Sequence, residues 1–379
     1  MPRPTLDPSI LPALREQVLA AASARAPLIL RGAGTKDFLG EYCVTDREAT
    51  ANATLLDTRV LNGVVAYEPT ELVITAGAGT RLSGIEALLA TQGQSLAFEP
   101  PRFGGDPTLG GIVAAGLSGP RRASVGATRD FVLGATLLDG RGEVLRFGGQ
   151  VMKNVAGFDV SRLLCGSFGL LGLITQVSLK VLPLPPAETT LRFALTSAAA
   201  LQAFQRWAGQ SWPVSATAYA AGSATVRLSG ATAAVSTAAR ALGGEPLPKL
   251  EADHFWAGLR DQTDPWFTHA EHLWRLSVPT SAPLPAELGE PLIEWGGALR
   301  WHRTTLPPRA VRAWAEAQGG TAWHWRGGVA GQRLHPLTPA VLAIHRRLQQ
   351  SFDPAGVFNP GRLLADAEAA EHRCEHLIG

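Results

Sequence analysis

The sequence predicts a mixed α/β (α+β) protein with two domains, and three observations support this fold class. From about residue 28 to 182 the chain is rich in glycine, and short β-branched runs alternate with turns and helical segments. All ten tryptophans come later, from Trp207 to Trp325. Between the two regions lies Leu182-Pro-Leu-Pro-Pro186, a stiff extended segment typical of a domain boundary. A chain of 379 residues is long enough for each domain to have a core.

The elements of the first region follow one another in a strand, turn and helix order. The patterns predict helices at 9–24 and 82–89 and strands at 27–31, 72–76, 131–138, 143–147 and 172–181. In the second region they predict helices at 198–208 and 233–242, strands at 225–228 and 298–303, and then a helix at 338–351. A turn-rich tail follows at 353–362. We expect domains at 1–185 and 186–330, with residues 331–379 returning to the first domain.

Composition and charge exclude several functional classes. Apolar residues make up 46% of the chain and charged residues 17%, which is typical of a globular protein. The net charge of +2 and the scattered Lys and Arg residues provide no surface for a nucleic acid. Cys43, Cys165 and Cys374 are far apart and form no CxxC pair. The chain therefore has no ligands for its own iron–sulfur cluster or a Cys-rich zinc site, and we expect reduced thiols.

The N-terminal segment bears on where the protein is found. Before its helical part it contains an acidic residue and three prolines, and it lacks the order of a signal peptide, in which charged residues precede an apolar run. No apolar run reaches the length of a membrane span. We expect a cytoplasmic protein, with any peripheral contact at the inner face of the cell membrane made through a partner.

The loop Arg31-Gly-Ala-Gly-Thr-Lys36 directly follows a predicted strand and has the features of a phosphate-binding loop. Glycine gives a pyrophosphate access to backbone N–H groups, and the loop adds a hydroxyl and two cations. A tight turn without a ligand is the alternative. Neither this loop nor Gly77-Ala-Gly-Thr80 completes the dinucleotide-binding motif G-x-G-x-x-G, because Asp37 and Leu82 stand where the third glycine is required. The nucleotide-binding P-loop motif G-x-x-x-x-G-K-[ST] is also absent from the sequence.

A third glycine-rich segment runs from Pro107 to Gly119, PTLGGIVAAGLSG. Its small side chains would let a flat, extended ligand lie against the backbone. Arg121 and Arg122 follow, and a solvated basic turn is the simpler interpretation of at least one of them. The turn GATRDFVLG, from Gly126, then enters another strand.

Taken in order, RGAGTK, PTLGGIVAAGLSG, GATRDFVLG and GSFGLLGLITQVSLKVLP resemble the FAD domain of the vanillyl-alcohol-oxidase (PCMH-type) family. Within that family, the FAD-binding subunits of glycolate oxidase are similar in YEPTELVIT, GPRRASVGATRDFVLG and LRFGGQVMKNVAGFDVSRLLCGSFG. LWRLSVPTSAP, EWGGALRW and FDPAGVFNPGRL extend this resemblance to the second domain and the tail.

The resemblance implies two α/β subdomains that hold FAD, followed by an α/β cap domain over the isoalloxazine ring. It places the pyrophosphate against Arg31, Gly32, Gly34, Thr35 and Lys36. The ring and ribityl chain would lie along Thr108, Gly110, Gly111, Ala114, Gly116 and Gly119, with Gly126, Thr128 and Ile174 near the adenine or the ring edge, and Asn359 and Arg362 closing the site from the tail. Residues 31–40 and 107–119 contain no His or Cys, so we expect non-covalent FAD.

Oxidation of a 2-hydroxy acid by a flavin requires cations for the carboxylate and a base for the hydroxyl proton. Arg275, Arg300 and His302 are the cap-domain candidates, and strand alternation places Arg300 and His302 on one face. A solvent-facing pair is the alternative. Trp295 and Trp301 are either pocket walls or buried core, and core is the simpler interpretation.

Lys153 and Asn154 interrupt an apolar stretch and are either a polar pair near the flavin or the start of a helix. His254, His269 and His272 form only a loose cluster with no evident third ligand, so we expect no metal site. The chain also lacks the His-rich HxxGDGN-like segment of the related flavin 2-hydroxy-acid dehydrogenases. The sequence leaves two roles open for this chain. It either oxidises the substrate itself, or relays electrons for a partner that does.

Three functions therefore compete. The first is an FAD-binding subunit of glycolate oxidase, which converts glycolate to glyoxylate beside a second FAD-containing subunit and an iron–sulfur subunit. The second is a stand-alone flavin oxidase or dehydrogenase of another hydroxy acid, amine or sugar. The third is a scaffold that has lost FAD, which the intact glycine loops disfavour because they are costly in conformational entropy without a ligand.

Overall fold

A computed structural model describes residues 9–45, 50, 52–149, 159–268 and 270–364. Lys153, Asn154, His269 and Cys374 lie outside these residues. The described chain forms two lobes, each built from helices and β-sheet, so the predicted mixed α/β class is confirmed.

In the part of the N-terminal lobe that the structure describes, there are nine strands and six α-helices. The strands are β1 (Leu28–Arg31), β2 (Thr54–Asp57), β3 (Val64–Glu68), β4 (Val73–Gly77), β5 (Gln94–Ser95), β6 (Val132–Leu138), β7 (Val144–Gly148), β8 (Leu173–Lys180) and β9 (Leu182–Pro183). The helices are α1 (Ile10–Ala24), α2 (Leu82–Ala90), α3 (Leu109–Ala115), α4 (Arg122–Val125), α5 (Thr128–Phe131) and α6 (Val160–Leu163).

The described part of this lobe contains three sheets, of which β5 and β9 form one as a short antiparallel pair. β1 and β2 form a parallel pair, whereas β3, β4, β8, β6 and β7 form an antiparallel sheet in that order. β4 and β8 occupy central positions, and most of their side chains are buried on both faces. Leu14, Val18 and Ala21 of α1 recur at helical spacing and join the same core as α2 and α3. The sheet thus holds the ends of β1 and α3 close to β8.

The C-terminal lobe is an eight-stranded antiparallel sheet with helices packed against it. Its strands are β10 (Ala187–Ala194), β11 (Val214–Ala220), β12 (Ser223–Gly230), β13 (Glu245–Pro246), β14 (Leu273–Ser277), β15 (Leu292–Glu294), β16 (Leu299–Arg303) and β17 (Thr321–Arg326). Its helices are α7 (Ser197–Ala208), α8 (Thr232–Leu242), α9 (Lys249–Asp261), α10 (Pro265–Thr268) and α11 (Pro308–Ala317). The strand order is β13-β10-β12-β11-β15-β16-β14-β17.

The two faces of this sheet have different neighbours. Leu299 and Trp301 of β16 pack in a cluster with Leu117 and Phe168 of the N-terminal lobe, so we call this the inner face. Trp274 and Leu276 of β14 pack instead with residues of α11, on the outer face. Because side chains alternate along a strand, each residue of β14 and β16 is assigned to one face by its position.

The C-terminal segment returns to the N-terminal lobe after α12 (Pro339–Phe352). Phe358 forms a parallel bridge with Leu28, which extends the small parallel sheet. The buried Asn359 amide accepts a hydrogen bond from the Leu30 N–H at 2.9 Å and donates one to the Phe168 carbonyl at 2.6 Å. The tail therefore joins the end of β1 to the segment that precedes β8. In the described part of the chain, every helix is too short or too polar to cross a bilayer.

We predict that Asn359→Ala lowers the free energy of unfolding by about 3 kcal/mol, because it leaves a buried N–H and a buried carbonyl without partners. A urea titration followed by circular dichroism measures the change. Asn62→Ala, at an exposed turn, is the control and should alter stability by less than about 0.5 kcal/mol. Equal stability of the two variants would show that the Asn359 contacts do not fasten the tail.

Candidate functional site

The N-terminal lobe contains a cleft of about 700 Å³, here called the glycine cleft. Its walls come from the loop after β1, the beginning of α3, the segment before β8 and the tail. The lining residues are Leu30, Arg31, Gly32, Ala33, Gly34, Thr35, Lys36, Asp37, Thr58, Ala78, Pro107, Thr108, Gly110, Gly111, Ala114, Ala115, Phe168, Gly169, Gly172, Leu173, Ile174, Asn359 and Arg362.

Close backbone packing shapes this cleft. A Cβ atom on Gly32 would overlap Thr108 Oγ1, and one on Gly110 would lie 2.8 Å from the Cβ of Ala78. These two glycines therefore let the loop after β1 and helix α3 approach their neighbours. Gly111 differs, since a Cβ there would meet only Thr108 Oγ1, at 3.2 Å, within 4 Å of it. Thr108 caps α3, because its hydroxyl accepts from the Gly111 N–H.

The charged side chains of the loop are held by specific contacts. Arg31 forms an ion pair with Asp37 at 2.6 Å. The Lys36 ammonium donates to the Pro101 carbonyl at 2.8 Å, and burial lowers its pKa to about 8. Arg362 of the tail donates to the Lys36 carbonyl at 3.1 Å. The cleft thus offers cations beside exposed backbone, which suits a pyrophosphate.

The structure brings twelve of the sixteen predicted cofactor residues to this cleft. The other four lie elsewhere. Gly116 ends α3 in the left-handed conformation, and a Cβ on Gly119 would lie 2.6 Å from the Glu99 carbonyl. Gly126 packs against Asp130, and the buried Thr128 hydroxyl donates to the Leu117 carbonyl at 2.6 Å. These four residues support the loop that follows α3. They would affect a ligand in the glycine cleft only by positioning that loop.

A second cavity of about 340 Å³ lies between this loop and the inner face of the large sheet, and we call it the tryptophan cavity. The N-terminal lobe contributes Leu117, Ser118 and Gly119. The sheet contributes Arg275, Glu294, Trp295, Leu299, Trp301 and Trp325. The Trp295 indole donates to the Gly119 carbonyl at 3.1 Å, which fixes the two lobes together at this point.

Arg275 is surrounded by aromatic rings. Its cross-strand neighbours on β16 and β17 are Trp301 and Trp323, so all three share the inner face. The guanidinium carbon lies 5.3 Å from the Trp295 ring centre and 5.9, 5.7 and 5.8 Å from those of Trp301, Trp323 and Trp325. Burial and the neighbouring Arg122 lower its pKa to about 10, so Arg275 is a cation at neutral pH.

Glu294 is a buried carboxyl in the same cavity. Its Oε1 accepts a hydrogen bond from the Trp301 indole at 2.9 Å. Burial raises the Glu294 pKa to about 7, although Trp301 and Arg275 oppose the increase. This residue was not among the sequence candidates, although it begins the segment EWGGALRW. A carboxyl with this pKa exchanges protons at neutral pH, as a general base requires.

A larger opening of about 1310 Å³ lies on the other side of Arg275, and we call it the arginine cleft. Arg122 and Arg129 line it together with Gly116, Leu117 and Ser118. Arg122 lies over the Trp295 ring, with its guanidinium carbon 4.4 Å from the ring centre. Ala115 lines both the glycine cleft and this opening. Residues 114–119 therefore run continuously from the glycine cleft to the large sheet.

Arg300 and His302 require a correction to the predicted site. They share one face, as the alternation indicated, but it is the outer face, away from the N-terminal lobe. Arg300 donates to the carbonyls of Gly297, Ala282 and Pro283, and His302 Nδ1 lies 3.2 Å from the Leu288 carbonyl. Both side chains are fully buried by these contacts, so they brace the sheet and do not line the cavity. Arg275 is the only one of the three at the lobe interface.

Histidines form one close pair in the described residues. His272 Nδ1 lies 3.2 Å from His324 Nε2, and burial lowers the His324 pKa to about 4. Within the ranges that the structure covers, no group of three or more His, Cys, Asp or Glu side chains is arranged to hold a metal ion. Trp295 and Trp301, predicted as core, are buried and also wall the tryptophan cavity.

Comparison with known proteins identifies the family. The sequence profile of the protein family described as "FAD binding domain" matches residues 8–148 of this chain. Glycolate oxidase subunit GlcE of Escherichia coli K12 is 45% identical over 354 residues, which covers 93% of this chain and 97% of that protein. The chain belongs to the GlcE family. FAD is its cofactor, and the chain is a flavoprotein of the oxidoreductase class.

More distant relatives share parts of the chain or only its fold. Glycolate oxidase subunit GlcD of Bacillus subtilis is 28% identical over 192 residues, covering 50% of this chain and 39% of that protein. An alkyldihydroxyacetonephosphate synthase structure superposes with a TM-score of 0.66 at 17% identity, covering 92% of this chain and 75% of that one. The GlcE family thus shares its fold with an enzyme of very different sequence.

We predict that Arg300→Met lowers the free energy of unfolding by about 3 kcal/mol, because the carbonyls of Gly297, Ala282 and Pro283 lose their donor, and two of these hydrogen bonds are buried. FAD content per folded molecule should not change. Urea denaturation and the flavin absorbance of the refolded protein measure the two quantities. Arg309→Met on the exposed side of α11 is the matched control and should be nearly neutral. Normal stability with impaired catalysis would return Arg300 to the active site.

The raised pKa of Glu294 makes stability depend on pH. The folded pKa of about 7 exceeds the ordinary value of 4.5, so the folded state binds the proton more tightly and stability falls between pH 4.5 and 7. The loss from this residue totals about 3 kcal/mol above pH 7. We predict that Glu294→Gln is more stable than the parent at pH 8 and matches it near pH 4.5. Equal stability at both pH values, measured by urea titration, would contradict a buried, proton-binding carboxyl.

Proposed function

We propose that this chain is the FAD-binding subunit of a glycolate oxidase, which converts glycolate to glyoxylate and passes the electrons to partner subunits. The observation that carries the proposal is the 45% identity with E. coli GlcE along nearly the full length of both chains. The glycine cleft and the cavity at the lobe interface support it, since one suits a dinucleotide and the other a small anion.

The glycine cleft is the proposed FAD site. Its fit to the cofactor rests on the close backbone approach at Gly32 and Gly110 and on the cations beside the loop. Arg31, Gly32, Gly34, Thr35 and Lys36 would hold the pyrophosphate, Thr108, Gly110, Gly111, Ala114 and Ile174 would line the remainder, and Asn359 and Arg362 would close the site. FAD, when bound, supplies the two-electron acceptor for the α-carbon hydride of the substrate.

Residues 114–119 connect the cleft to the lobe interface, so the flavin ring is proposed to lie toward this end. In this proposal residues 1–185 form the FAD domain, 186–330 the cap and 331–379 the closing tail. Non-covalent attachment is also proposed. Cys165 lines the arginine cleft, but burial raises its pKa to about 12, and a thiol that stays protonated is a poor nucleophile.

The proposed assembly contains a second FAD-bearing subunit and an iron–sulfur subunit. The name of the GlcD relative supports a complex with several glycolate oxidase subunits. Three widely separated cysteines cannot supply a four-cysteine cluster, so the iron–sulfur centre would belong to another chain. Peripheral attachment at the inner face of the cell membrane would then be made through the complex.

Purification of a tagged full-length chain together with its co-expressed partners tests the proposed function. The complex should contain flavin and iron, and it should reduce an artificial electron acceptor with glycolate while forming glyoxylate. A complex that oxidises other hydroxy acids but leaves glycolate unchanged would reject glycolate as the substrate. A flavin-bearing chain that recovers no iron-containing partner would reject the proposed assembly.

Gly111→Val tests the proposed FAD site. Gly111 lines the cleft, and a Cβ at this position would have Thr108 Oγ1, at 3.2 Å, as its one close neighbour. We predict at least a 100-fold loss of FAD affinity with little loss of stability in the apoprotein, measured by flavin fluorescence and thermal melting. Gly84→Val, whose side chain would enter open space on α2, is the control and should bind FAD normally. Full FAD occupancy in Gly111→Val would exclude this placement.

A further inference from the structure

The tryptophan cavity is lined by the Arg275 guanidinium and the Glu294 carboxyl, and in the described part of the chain these two groups form no ion pair with each other. We infer that this cavity binds the 2-hydroxy acid, with Arg275 as the ligand of its carboxylate and Glu294 as the acceptor of its hydroxyl proton. The inference rests on the proposed function and assigns the substrate-contacting residues within this chain. Arg275 was a candidate from the sequence, whereas Glu294 is added by the structure.

Arg275 of β14 and Glu294 of β15 lie on the inner face of the sheet and line the same cavity as Leu117, Ser118 and Gly119. That loop continues directly from the part of α3 that lines the glycine cleft. The pair therefore lies where the proposed cofactor site and the cap meet.

Arg275 has few polar partners of its own and is surrounded by aromatic rings. In the residues that the structure describes, its recorded polar contact is with the Ser277 hydroxyl, at 3.3 Å, and it forms no ion pair. The four tryptophan rings around it stabilise the positive charge and fix the guanidinium while leaving its N–H groups free to bind. A planar fork held in this way matches the two oxygens of a carboxylate.

The Glu294 carboxyl is held in the cavity through one of its two oxygens. The Trp301 indole holds Oε1, which leaves the second carboxyl oxygen available to the cavity. The charged groups around Glu294 are Arg275 on β14, Glu99 in the loop before α3, and Arg260 on α9. Arg275 favours the ionised form of Glu294 and Glu99 opposes it. A substrate carboxylate bound to Arg275 would leave its neighbouring hydroxyl toward Glu294.

Oxidation of the hydroxyl carbon to a carbonyl removes one hydride from the α-carbon and one proton from the oxygen. Bound FAD would supply the two-electron acceptor for the hydride, and the Glu294 carboxylate would accept the proton. The C–H and O–H bonds break as the C=O π bond forms. Solvent then receives the proton from Glu294 before the next turnover.

Binding is tested with oxalate, a two-carbon carboxylate that has no C–H bond to oxidise. Calorimetric titration of the FAD-loaded full-length chain should show saturable binding. Arg275→Met should weaken it by about 10- to 100-fold, as expected for loss of a charge-assisted contact. Arg275→Lys keeps the positive charge but lacks the planar guanidinium, so its affinity for oxalate should lie between those of the parent and Arg275→Met. The control Arg309→Met should bind normally, and circular dichroism identifies any misfolded variant.

The role of Glu294 is tested by the pH profile of glycolate turnover in the assembled complex. In the parent, kcat/KM should rise with pH and level off above about pH 7, since the protonated carboxyl cannot accept a proton. Glu294→Gln should lower kcat at least 100-fold, remove this rise and still bind oxalate. Glu294→Asp should recover part of the activity. The exposed Glu287→Gln is the matched control.

The outcomes separate this inference from the proposed function. If the parent complex oxidises glycolate but Arg275→Met and Glu294→Gln retain its rate, affinity and pH profile, the inference is wrong and the proposed function stands. If the correctly assembled parent neither binds nor oxidises glycolate, the proposed function is wrong. Loss of the pH-dependent rise in Glu294→Gln, with oxalate affinity retained, supports proton acceptance over a purely structural role.

Discussion

The structure depends on a close contact between two stretches of backbone in the N-terminal lobe. The loop after β1 packs directly on Thr108 because Gly32 has no side chain, and α3 packs on Ala78 because Gly110 has none. These contacts set the width of the glycine cleft and the direction of α3. The chain that leaves α3 then reaches the large sheet at Gly119, where Trp295 holds it. One steric constraint thus connects the cofactor cleft to the lobe interface.

Local sequence patterns predicted the elements that carry their own signals. The helix at 9–24, the strand at 27–31 and the helix at 82–89 are present because apolar spacing and turn residues define them without reference to the rest of the chain. The segment from Pro107 to Gly119 contains the helix α3, which the sequence did not predict because its glycines are poor helix formers. The strands β14, β15 and β17 gave no separate signal, since their tryptophans, arginines and glutamate are held in a sheet by neighbours distant in sequence.

The same limit explains the outcome for the catalytic candidates. Alternation along β16 correctly grouped Arg300 with His302, but alternation alone does not say which face meets the other lobe. The register with β14 decides it, because Arg275 pairs with Trp301 and Leu276 with Arg300. Glu294 was inconspicuous in the sequence, since its importance comes from burial beside Trp301 and from the cavity that it shares with Arg275. The glycine residues of the cleft were easier to find because their type reports a local backbone requirement.

We propose that the glycine cleft and the tryptophan cavity form one active site within a single chain. Anaerobic addition of glycolate to the purified, FAD-loaded chain, without partner subunits, is the measurement that distinguishes this arrangement from an electron relay. If both sites belong to one chain, the flavin absorbance bleaches and glyoxylate forms in equal amount. A flavin that stays oxidised until the partner subunits are added would show that this chain relays electrons and does not oxidise the substrate itself.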